Sequence, residues 1–204
     1  MTREKRVGAI ILAGGRSERL GRAKQLLPWN GRTLVEAVVE EVCRAGRLAA
    51  VAVVVRREVA EALGKRAGER LGCARIVFPD ETGEGCAASY RSGLAALEES
   101  ELDAVVILLG DQPGMRAETI ERVIAGWERS GAAMAVARYR DGEGHPLVFD
   151  RTVFADLREL RGEKAAWKLV DRSRKRVYVV EIEESMPGDI DTWEDYEARR
   201  RSGA

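Results

Sequence analysis

The sequence predicts an α/β fold, a three-layer α/β/α sandwich with a Rossmann-like, mostly parallel central sheet. Two runs, Ala49–Val55 and Asp103–Leu109, are almost continuously apolar, which is typical of strands buried on both faces. Segments with the helical spacing of apolar residues separate the predicted strands. Because strands alternate with helices, the chain is expected to form βαβ crossovers, with helices on both faces of the sheet.

The first half of the chain begins with a buried strand, Val7–Leu12, which runs into a glycine-rich loop. Thr33 and Glu36 have the spacing of a capping box, so a helix is predicted over about 33–45. Shorter patterns give the other elements of this half. They are strand Ala49–Val55, a weak helical pattern at 56–70, strand Arg75–Phe78, a polar loop at Pro79–Gly85 and helix Cys86–Leu97.

The second half continues the alternation, and no internal repeat or linker interrupts it. Residues 1–204 are therefore predicted to form a single domain, with a frayed tail at 199–204. The predicted elements are strand Asp103–Leu109, helix 117–130, strand Ala133–Tyr139, a glycine-bearing loop Arg140–Pro146 leading into Leu147–Phe149, short helices at about 151–160 and 163–171, strand Lys175–Ile182 and helix Thr192–Arg200.

Composition excludes several functional classes. Lys and Arg number 34, and so do Asp and Glu, so the net charge is zero and a general nucleic-acid binder is not expected. There is no apolar run of about 18 residues, so no membrane span is predicted. The apolar part of the first strand is too short for a signal-peptide core, which favours a cytoplasmic protein.

The three cysteines are predicted to be reduced thiols. Cys43, Cys73 and Cys86 are odd in number and far apart, and no C-x-x-C pair is present. That pattern indicates neither a disulfide framework nor a zinc site in a cytoplasmic protein.

The loop after the first strand is a candidate phosphate site. It matches neither the P-loop nor the G-x-G-x-x-G pattern. Gly14 and Gly15 permit positive φ and close backbone approach, so their N–H groups can form an anion-binding nest. Arg16 can donate bidentately to phosphate, and Lys24 can supply a point charge. The alternative is a tight turn with solvated cations.

Carboxylates follow at two further places. Asp111 comes directly after the second buried strand, where it is suited to Mg²⁺ or, alternatively, to capping the next helix. Asp189 and Asp191 precede a predicted helix, and Thr192 with Asp195 forms a capping box that would explain acidic residues there without a metal.

Two other polar residues are less specific. His145 is the single histidine and lies between a glycine and a proline, and a lone histidine is more often structural than catalytic. Ser89 lies in the first turn of a predicted helix, where a serine can also satisfy a backbone donor.

The stretch Leu12–Gly21 together with Lys24 resembles the L-A-[AG]-G-x-S-x-R-[ML]-G-x-x-K signature of the nucleotidyltransferases, a GT-A-like family. The branch that it most resembles is the molybdenum cofactor cytidylyltransferases. Five further segments agree with that branch in the expected order. They are Lys24–Trp29, Gly85–Leu94, Gly110–Pro113, Gly144–Pro146 and Asp189–Tyr196.

The resemblance implies a role for each candidate residue. Lys24, Arg16 and Asp111 would be catalytic, and Mg²⁺ would be bound by Asp111 and, in preference to Asp189, by Asp191. The acceptor pocket would include His145. The nucleotide would be bound by Ala13, Gly14, Gly15, Arg16, Lys24 and Ser89.

The resemblance also implies a reaction, the transfer of CMP from CTP to the terminal phosphate of molybdopterin, with a molybdoenzyme as recipient of the product. Three alternatives stay open. Ala13-Gly14-Gly15 replaces the Ala-Ala-Gly of many cytidylyl enzymes, so GTP is a second candidate donor. A sugar phosphate or another small phosphorylated compound is a second candidate acceptor. A nucleotide-binding cofactor-escort protein on the same fold is the non-enzyme alternative.

Overall fold

The computed structural model describes residues 3–80, 86–162 and 164–202, and it confirms the predicted α/β sandwich. Its strands are β1 (Val7–Ala13), β2 (Pro28–Trp29), β3 (Arg32–Thr33), β4 (Leu48–Val55), β5 (Arg70–Leu71), β6 (Ala74–Val77), β7 (Ala104–Leu109), β8 (Met134–Tyr139), β9 (Gly142–Asp150) and β10 (Val177–Glu181). Its helices are α1 (Leu34–Arg44), α2 (Arg57–Ala62), α3 (Cys86–Ala96), α4 (Ala117–Ser130), α5 (Phe154–Arg158), α6 (Ala165–Arg172) and α7 (Trp193–Ser202).

The central sheet has the strand order β10-β8-β9-β7-β1-β4-β6-β5. Strand β1 lies in the middle and pairs in parallel with β4 on one side and β7 on the other. Strand β9 runs antiparallel to both neighbours, and β5 runs antiparallel to β6. The carboxyl ends of β1 and β7 are therefore adjacent, and in such sheets ligands bind outside those ends.

Two apolar cores hold the layers together. Side chains alternate across the sheet, so Ala9 and Ile11 pack with α1 and α4 on one face while Ile10 packs with α3, α5 and α6 on the other. A third, smaller cluster joins Leu20 and Leu27 to Ile190 and Tyr196, which anchors α7 beside the loop that follows β1. The capping box of Thr33 and Glu36 is present at the start of α1.

Two predicted elements differ from the structure. The expected loop Arg140–Pro146 is mostly strand, because β9 begins at Gly142 and pairs with β8 through a register shift between Val136 and Ala137. The weak helical pattern at 56–70 forms only the short α2 and then β5. Helix α7 spans Trp193–Ser202, and fraying of the tail at 199–204 stays a prediction. The polar loop predicted at Pro79–Gly85 lies largely outside the described residues.

The prediction that the cysteines are reduced thiols is wrong for two of them. Cys43, near the end of α1, forms a disulfide with Cys73, in the turn between β5 and β6. Thirty residues separate the pair in sequence, and only the packing of α1 beside that turn brings them together. Cys86 takes no part in the disulfide and is partly buried.

Among the described residues, no helix is both long enough and apolar enough to cross a membrane.

Candidate functional site

A cleft of about 1770 Å³ opens above the carboxyl ends of β1 and β7. Its walls come from the loop after β1, the start of α2, the first turn of α3, the end of β7, strand β9 and helix α6. The sequence-predicted residues that line it are Gly14, Gly15, Arg16, Lys24, Ser89, Asp111, His145, Asp189 and Asp191. Ala13 lies just behind the wall as the last, buried residue of β1.

Lys24 joins the two halves of the cleft floor. Its ammonium group is 2.5 Å from Asp111 Oδ2 and 2.7 Å from Asp191 Oδ1, and its side chain is only 9% exposed. Arg19 pairs with the other oxygen of Asp191 at 2.9 Å. The backbone N–H of Ile190 donates to the Asp111 carbonyl at 3.0 Å, which fixes the segment carrying Asp191 against the end of β7.

The charges of this cluster shift one another's pKa values. Burial lowers the pKa of Lys24, but the charges and hydrogen bonds of Asp111 and Asp191 outweigh burial, so the pKa is raised and the ammonium stays protonated. Burial raises the pKa of Asp111, and the charge of Lys24 offsets only part of that effect. The hydrogen bond from Lys24, helped by the charge of Arg19, lowers the pKa of Asp191 despite partial burial.

Asp189 and Asp191 are held differently. Asp189 Oδ1 accepts a hydrogen bond from Gln112 Nε2 at 2.8 Å, whereas Asp191 faces Lys24. The capping box that could have explained these acids is also present, because Asp195 accepts from the Thr192 backbone and hydroxyl at 2.8 Å. The capping box uses the carboxylate of Asp195, so the carboxylate of Asp191 remains paired with Lys24 and Arg19.

The glycine-rich loop is shaped differently from the expectation. Positive φ occurs at Ser17 (55°) and Gly21 (67°), not at Gly14 or Gly15. Ser17 accepts a hydrogen bond from the Lys24 backbone N–H at 3.0 Å, which turns the chain back toward the cleft. Gly15 is exposed, and a Cβ added there would have no neighbour within 4 Å, so its backbone is open to a ligand.

Gln25 is a residue that the sequence reasoning missed. It is 1% exposed, and its Nε2 donates to the carbonyls of Ala13 at 2.9 Å and Gly15 at 3.1 Å. The side chain thus fixes the backbone of the loop from behind. A polar residue next to Lys24 in an otherwise apolar stretch was the available signal, because a buried amide needs partners that only a loop backbone could offer.

Gly14, in the loop after β1, lies close to Ser89 of α3. A Cβ on Gly14 would lie 3.0 Å from Ser89 Oγ, so the absence of a side chain at position 14 lets α3 approach the loop. Ser89 is buried in α3 with 6% exposure. Arg16 is exposed at the mouth of the cleft.

His145 lies on strand β9, not in a loop. Its backbone carbonyl accepts from the Tyr139 hydroxyl at 2.6 Å, and its ring meets Trp167 of α6 edge-on with 6.0 Å between centroids. Burial lowers the pKa of His145 to about 4, so the ring is neutral at physiological pH. Its Nε2 is buried and has no hydrogen-bond partner within the described part of the chain.

The carboxylate oxygens of Asp111 and Asp191, near the end of β7, are suited to bind a divalent cation together with a substrate. Among the described residues, no group of three His, Cys, Asp or Glu side chains is arranged to hold a metal alone. Asp111 Oδ1, however, is buried without a hydrogen-bond partner in those same ranges, and Asp191 lies beside it. Two carboxylates completed by phosphate oxygens is the donor set that Mg²⁺ usually takes.

Solved structures resemble this chain over almost its full length. The homologue of Rv0371c from Mycobacterium sp. strain JC1 is 37% identical, covers 96% of each chain and superposes with a TM-score of 0.84. Rv0371C from Mycobacterium tuberculosis, solved as a complex with manganese, is 31% identical, with a TM-score of 0.80 and coverage of 97% of this chain and 99% of that one.

Curated relatives carry several different activities in their names. Nicotine blue oxidoreductase from Paenarthrobacter nicotinovorans is 31% identical over 92% of this chain and 93% of its own. The probable molybdenum cofactor guanylyltransferase of Pyrococcus horikoshii is 28% identical over 82% and 81%. The 2-C-methyl-D-erythritol 4-phosphate cytidylyltransferase of Thermotoga neapolitana is 30% identical over 65% and 59%.

Residues 9–177 match the model of the MobA-like NTP transferase domain. That match spans the β1 loop, Lys24, Ser89, Asp111 and His145. The chain therefore belongs to the MobA-like NTP transferase family and is an enzyme of the nucleotidyltransferase kind.

Proposed function

We propose that this nucleotidyltransferase transfers CMP from CTP to the terminal phosphate of a molybdopterin-type acceptor and releases pyrophosphate. The observation that carries the proposal is the contact of Lys24 with both Asp111 and Asp191 at the floor of the cleft. A protonated lysine between two carboxylates, opposite an open glycine backbone, provides charge for a triphosphate and oxygen ligands for its cation.

The protein's part in the reaction is to position and to neutralise charge. The Gly14-Gly15 backbone and Arg16 bind the triphosphate, and Ser89 contacts the base or ribose. The acceptor phosphate, already anionic near pH 7, attacks the α-phosphorus in line and needs no general base. The bond from the α-phosphorus to the bridging oxygen breaks, pyrophosphate leaves, and Lys24 stabilises the charge that develops on both groups.

Asp111 and Asp191 would hold Mg²⁺, which would supply positive charge to neutralise the phosphates of the donor nucleotide. The support from this chain is the Oδ1 of Asp111, unpartnered among the described residues, beside Asp191. The manganese complex of Rv0371C supports a divalent cation in a relative. We further propose that the enzyme acts in the cytoplasm as one domain and that a molybdoenzyme takes up the product.

GTP is the second candidate donor. The guanylyltransferase among the relatives supports it, and so does Gly14, which stands where many cytidylyl enzymes have alanine. Thermal shifts with CTP, GTP and ATP in the presence of Mg²⁺ separate the donors. We expect CTP to stabilise most; a clear preference for GTP would replace CMP transfer with GMP transfer.

The reaction is tested by incubating the protein with CTP, Mg²⁺ and molybdopterin and following pyrophosphate and the dinucleotide product. A sugar phosphate that supports faster release would identify the other acceptor class. Binding of nucleotide without turnover on any acceptor would favour the escort protein. Consumption of NADPH, measured because one relative is named an oxidoreductase, without pyrophosphate release would overturn the proposal.

A further inference from the structure

The cleft wall formed by α6 carries two residues that the reaction as described does not use. Trp167 and Asp171 both line the cleft, and they are four residues apart on the same helix. Side chains at this spacing lie on one face of a helix, one turn apart. An aromatic ring and a carboxylate are therefore presented together to the space in front of β9.

The aromatic part of this wall is built into the fold. Trp167 is half-buried against the core, and its ring stands at 87° to that of His145. His145 is 6% exposed, neutral, and has a buried Nε2 with no hydrogen-bond partner in the described ranges. His145 lines the cleft, and buried polar atoms are nearly always paired, so a neutral Nε2 with no partner in the described ranges points to a ligand that completes its bonding.

Asp171 differs from the other acidic residue on this side. Glu143 is held by Arg138 at 2.9 Å and also by Arg174, and the hydrogen bond from Arg174 does most to lower its pKa. Asp171 is exposed, and its charge helps to raise the pKa of Arg174 from a distance. It makes no hydrogen bond or ion pair within residues 3–80, 86–162 and 164–202, so its carboxylate oxygens can accept from a ligand.

A carboxylate whose two oxygens can both accept matches two adjacent N–H donors in one plane. The aminopyrimidinone edge of a pterin or a guanine offers such a pair, in its ring N–H and its exocyclic amino group. A flat ring that stacks on Trp167 brings that edge to the helix turn where Asp171 lies. A sugar phosphate can present two adjacent hydroxyls to a carboxylate and a C–H face to an indole ring, but it lacks two N–H donors fixed in the plane of a flat ring.

We propose that Trp167 and Asp171 select the acceptor by recognising a pterin-type ring. The ring stacks on Trp167, its aminopyrimidinone edge donates two hydrogen bonds to Asp171, and His145 Nε2 bonds to a polar atom of the same ring. This inference deepens the proposed function and rests on it, since it assigns the acceptor's heterocycle to the side of the cleft opposite the Gly14-Gly15 loop.

The test compares two fluorescent probes that differ at one position, 6-hydroxymethylpterin and 6-hydroxymethyllumazine, which carries oxygen in place of the 2-amino group. Each is titrated with the full-length protein without nucleotide. We expect the wild-type protein to bind the pterin at least about tenfold more tightly, the size of one lost hydrogen bond to a charged group. Asp171→Asn should reduce this preference to below about twofold.

Trp167→Ala should weaken the binding of both probes by about tenfold, while Trp167→Phe should retain most of it, because the stacking face is kept. Glu159→Gln is the matched control, since Glu159 is an exposed acid at the end of α5 that does not line the cleft. It should leave both affinities unchanged.

Three outcomes would overturn the inference: a pterin preference that survives Asp171→Asn, binding that is unaffected by Trp167→Ala, or guanosine displacing the pterin with higher affinity, which would assign the wall to a guanine base. The CTP and Mg²⁺ thermal shift is measured on the same samples. A normal CTP shift without pterin binding refutes only the Trp167–Asp171 assignment. Pterin binding without any nucleotide shift refutes the proposed donor chemistry and leaves the assignment standing.

Discussion

Lys24 Nζ lies 2.5 Å from Asp111 Oδ2, although the two residues are 87 positions apart in the sequence. Lys24 follows the loop after β1, and Asp111 follows β7, so the parallel pairing of these two strands brings them together. The approach is close because Gly110 has no side chain; a Cβ there would lie 2.6 Å from that of Ala13.

Replacing either partner should stop turnover without unfolding the protein. We expect Lys24→Ala and Asp111→Ala each to lower the rate of pyrophosphate release by about 100-fold or more, as for other groups that stabilise developing charge. Asp111 left alone can take up a proton, because burial already raises its pKa, so the fold should tolerate the loss of Lys24. Stopped-assay pyrophosphate detection and circular dichroism measure the two effects.

Arg158→Ala is the control for removing a cation. Arg158 pairs with Glu98 at 2.8 Å, both side chains are about half exposed, and neither lines the cleft. An exposed pair of this kind contributes at most about 1 kcal/mol, so activity should not change. Near-wild-type pyrophosphate release by either cleft variant would refute the roles given to Lys24 and Asp111.

The disulfide between Cys43 and Cys73 should stabilise the fold measurably. It closes a loop of 30 residues, which by loop-closure entropy corresponds to about 3–4 kcal/mol. Cys43→Ser and Cys73→Ser should therefore lower the melting temperature by many degrees, and a reducing agent should lower that of the wild type but not that of these two variants. Thiol titration of the native oxidised protein should detect Cys86 alone.

Cys86→Ser is the matched substitution, since that cysteine takes no part in the disulfide and its loss should leave the response to reductant intact. Equal melting temperatures for the oxidised wild-type protein and Cys43→Ser would show that the disulfide contributes nothing.

The sequence was informative where chemistry depends on local pattern. Continuous apolar runs identified β4 and β7, and the capping-box spacing identified the start of α1. It was uninformative where distant segments meet. Cys43 and Cys73 show no sign of pairing until α1 packs beside the β5–β6 turn.

The same distinction between local pattern and distant contact applies to the residues of the candidate site. The glycine-rich loop and Asp111 each follow a predicted strand, so their meeting could be inferred from the topology of a parallel sheet. Gln25 was missed because its two acceptors are backbone carbonyls, so the sequence shows a polar residue in an apolar stretch but not the partners that give it a role. His145 was expected in a loop because glycine and proline flank it, but pairing between β8 and β9 overrides that local preference.

Gly14→Ala should disturb the nucleotide side of the cleft. The added Cβ would lie 3.0 Å from Ser89 Oγ, and Ser89 is buried, so one of the two must shift at a cost of about 1 kcal/mol. We expect a several-fold increase in KM for CTP. Adding Ser89→Ala removes the colliding oxygen, so the stability lost by Gly14→Ala should be recovered in the double variant.

Gly15→Ala is the control within the same loop, because nothing lies within 4 Å of a Cβ there. Its melting temperature should equal that of the wild type. A Gly14→Ala protein that is as stable as Gly15→Ala would mean that α3 adjusts freely and that position 14 does not limit the approach of Ser89.

His145 should make stability depend on pH in a defined window. Its pKa is lowered by burial from 6.5 to about 4, so between those values the unfolded chain binds a proton that the native protein does not. The free energy of unfolding therefore rises with pH through this window. The contribution of His145 is fully present above about pH 6.5 and is lost as the pH falls toward 4, by up to about 3 kcal/mol.

Urea unfolding of the wild type and His145→Gln from pH 4 to 8 measures the difference. His145 is the single histidine, so the two proteins share every other titrating group and subtraction isolates its contribution. Parallel pH profiles for the two proteins would show that the ring of His145 is already solvated and free to take up a proton in the native state.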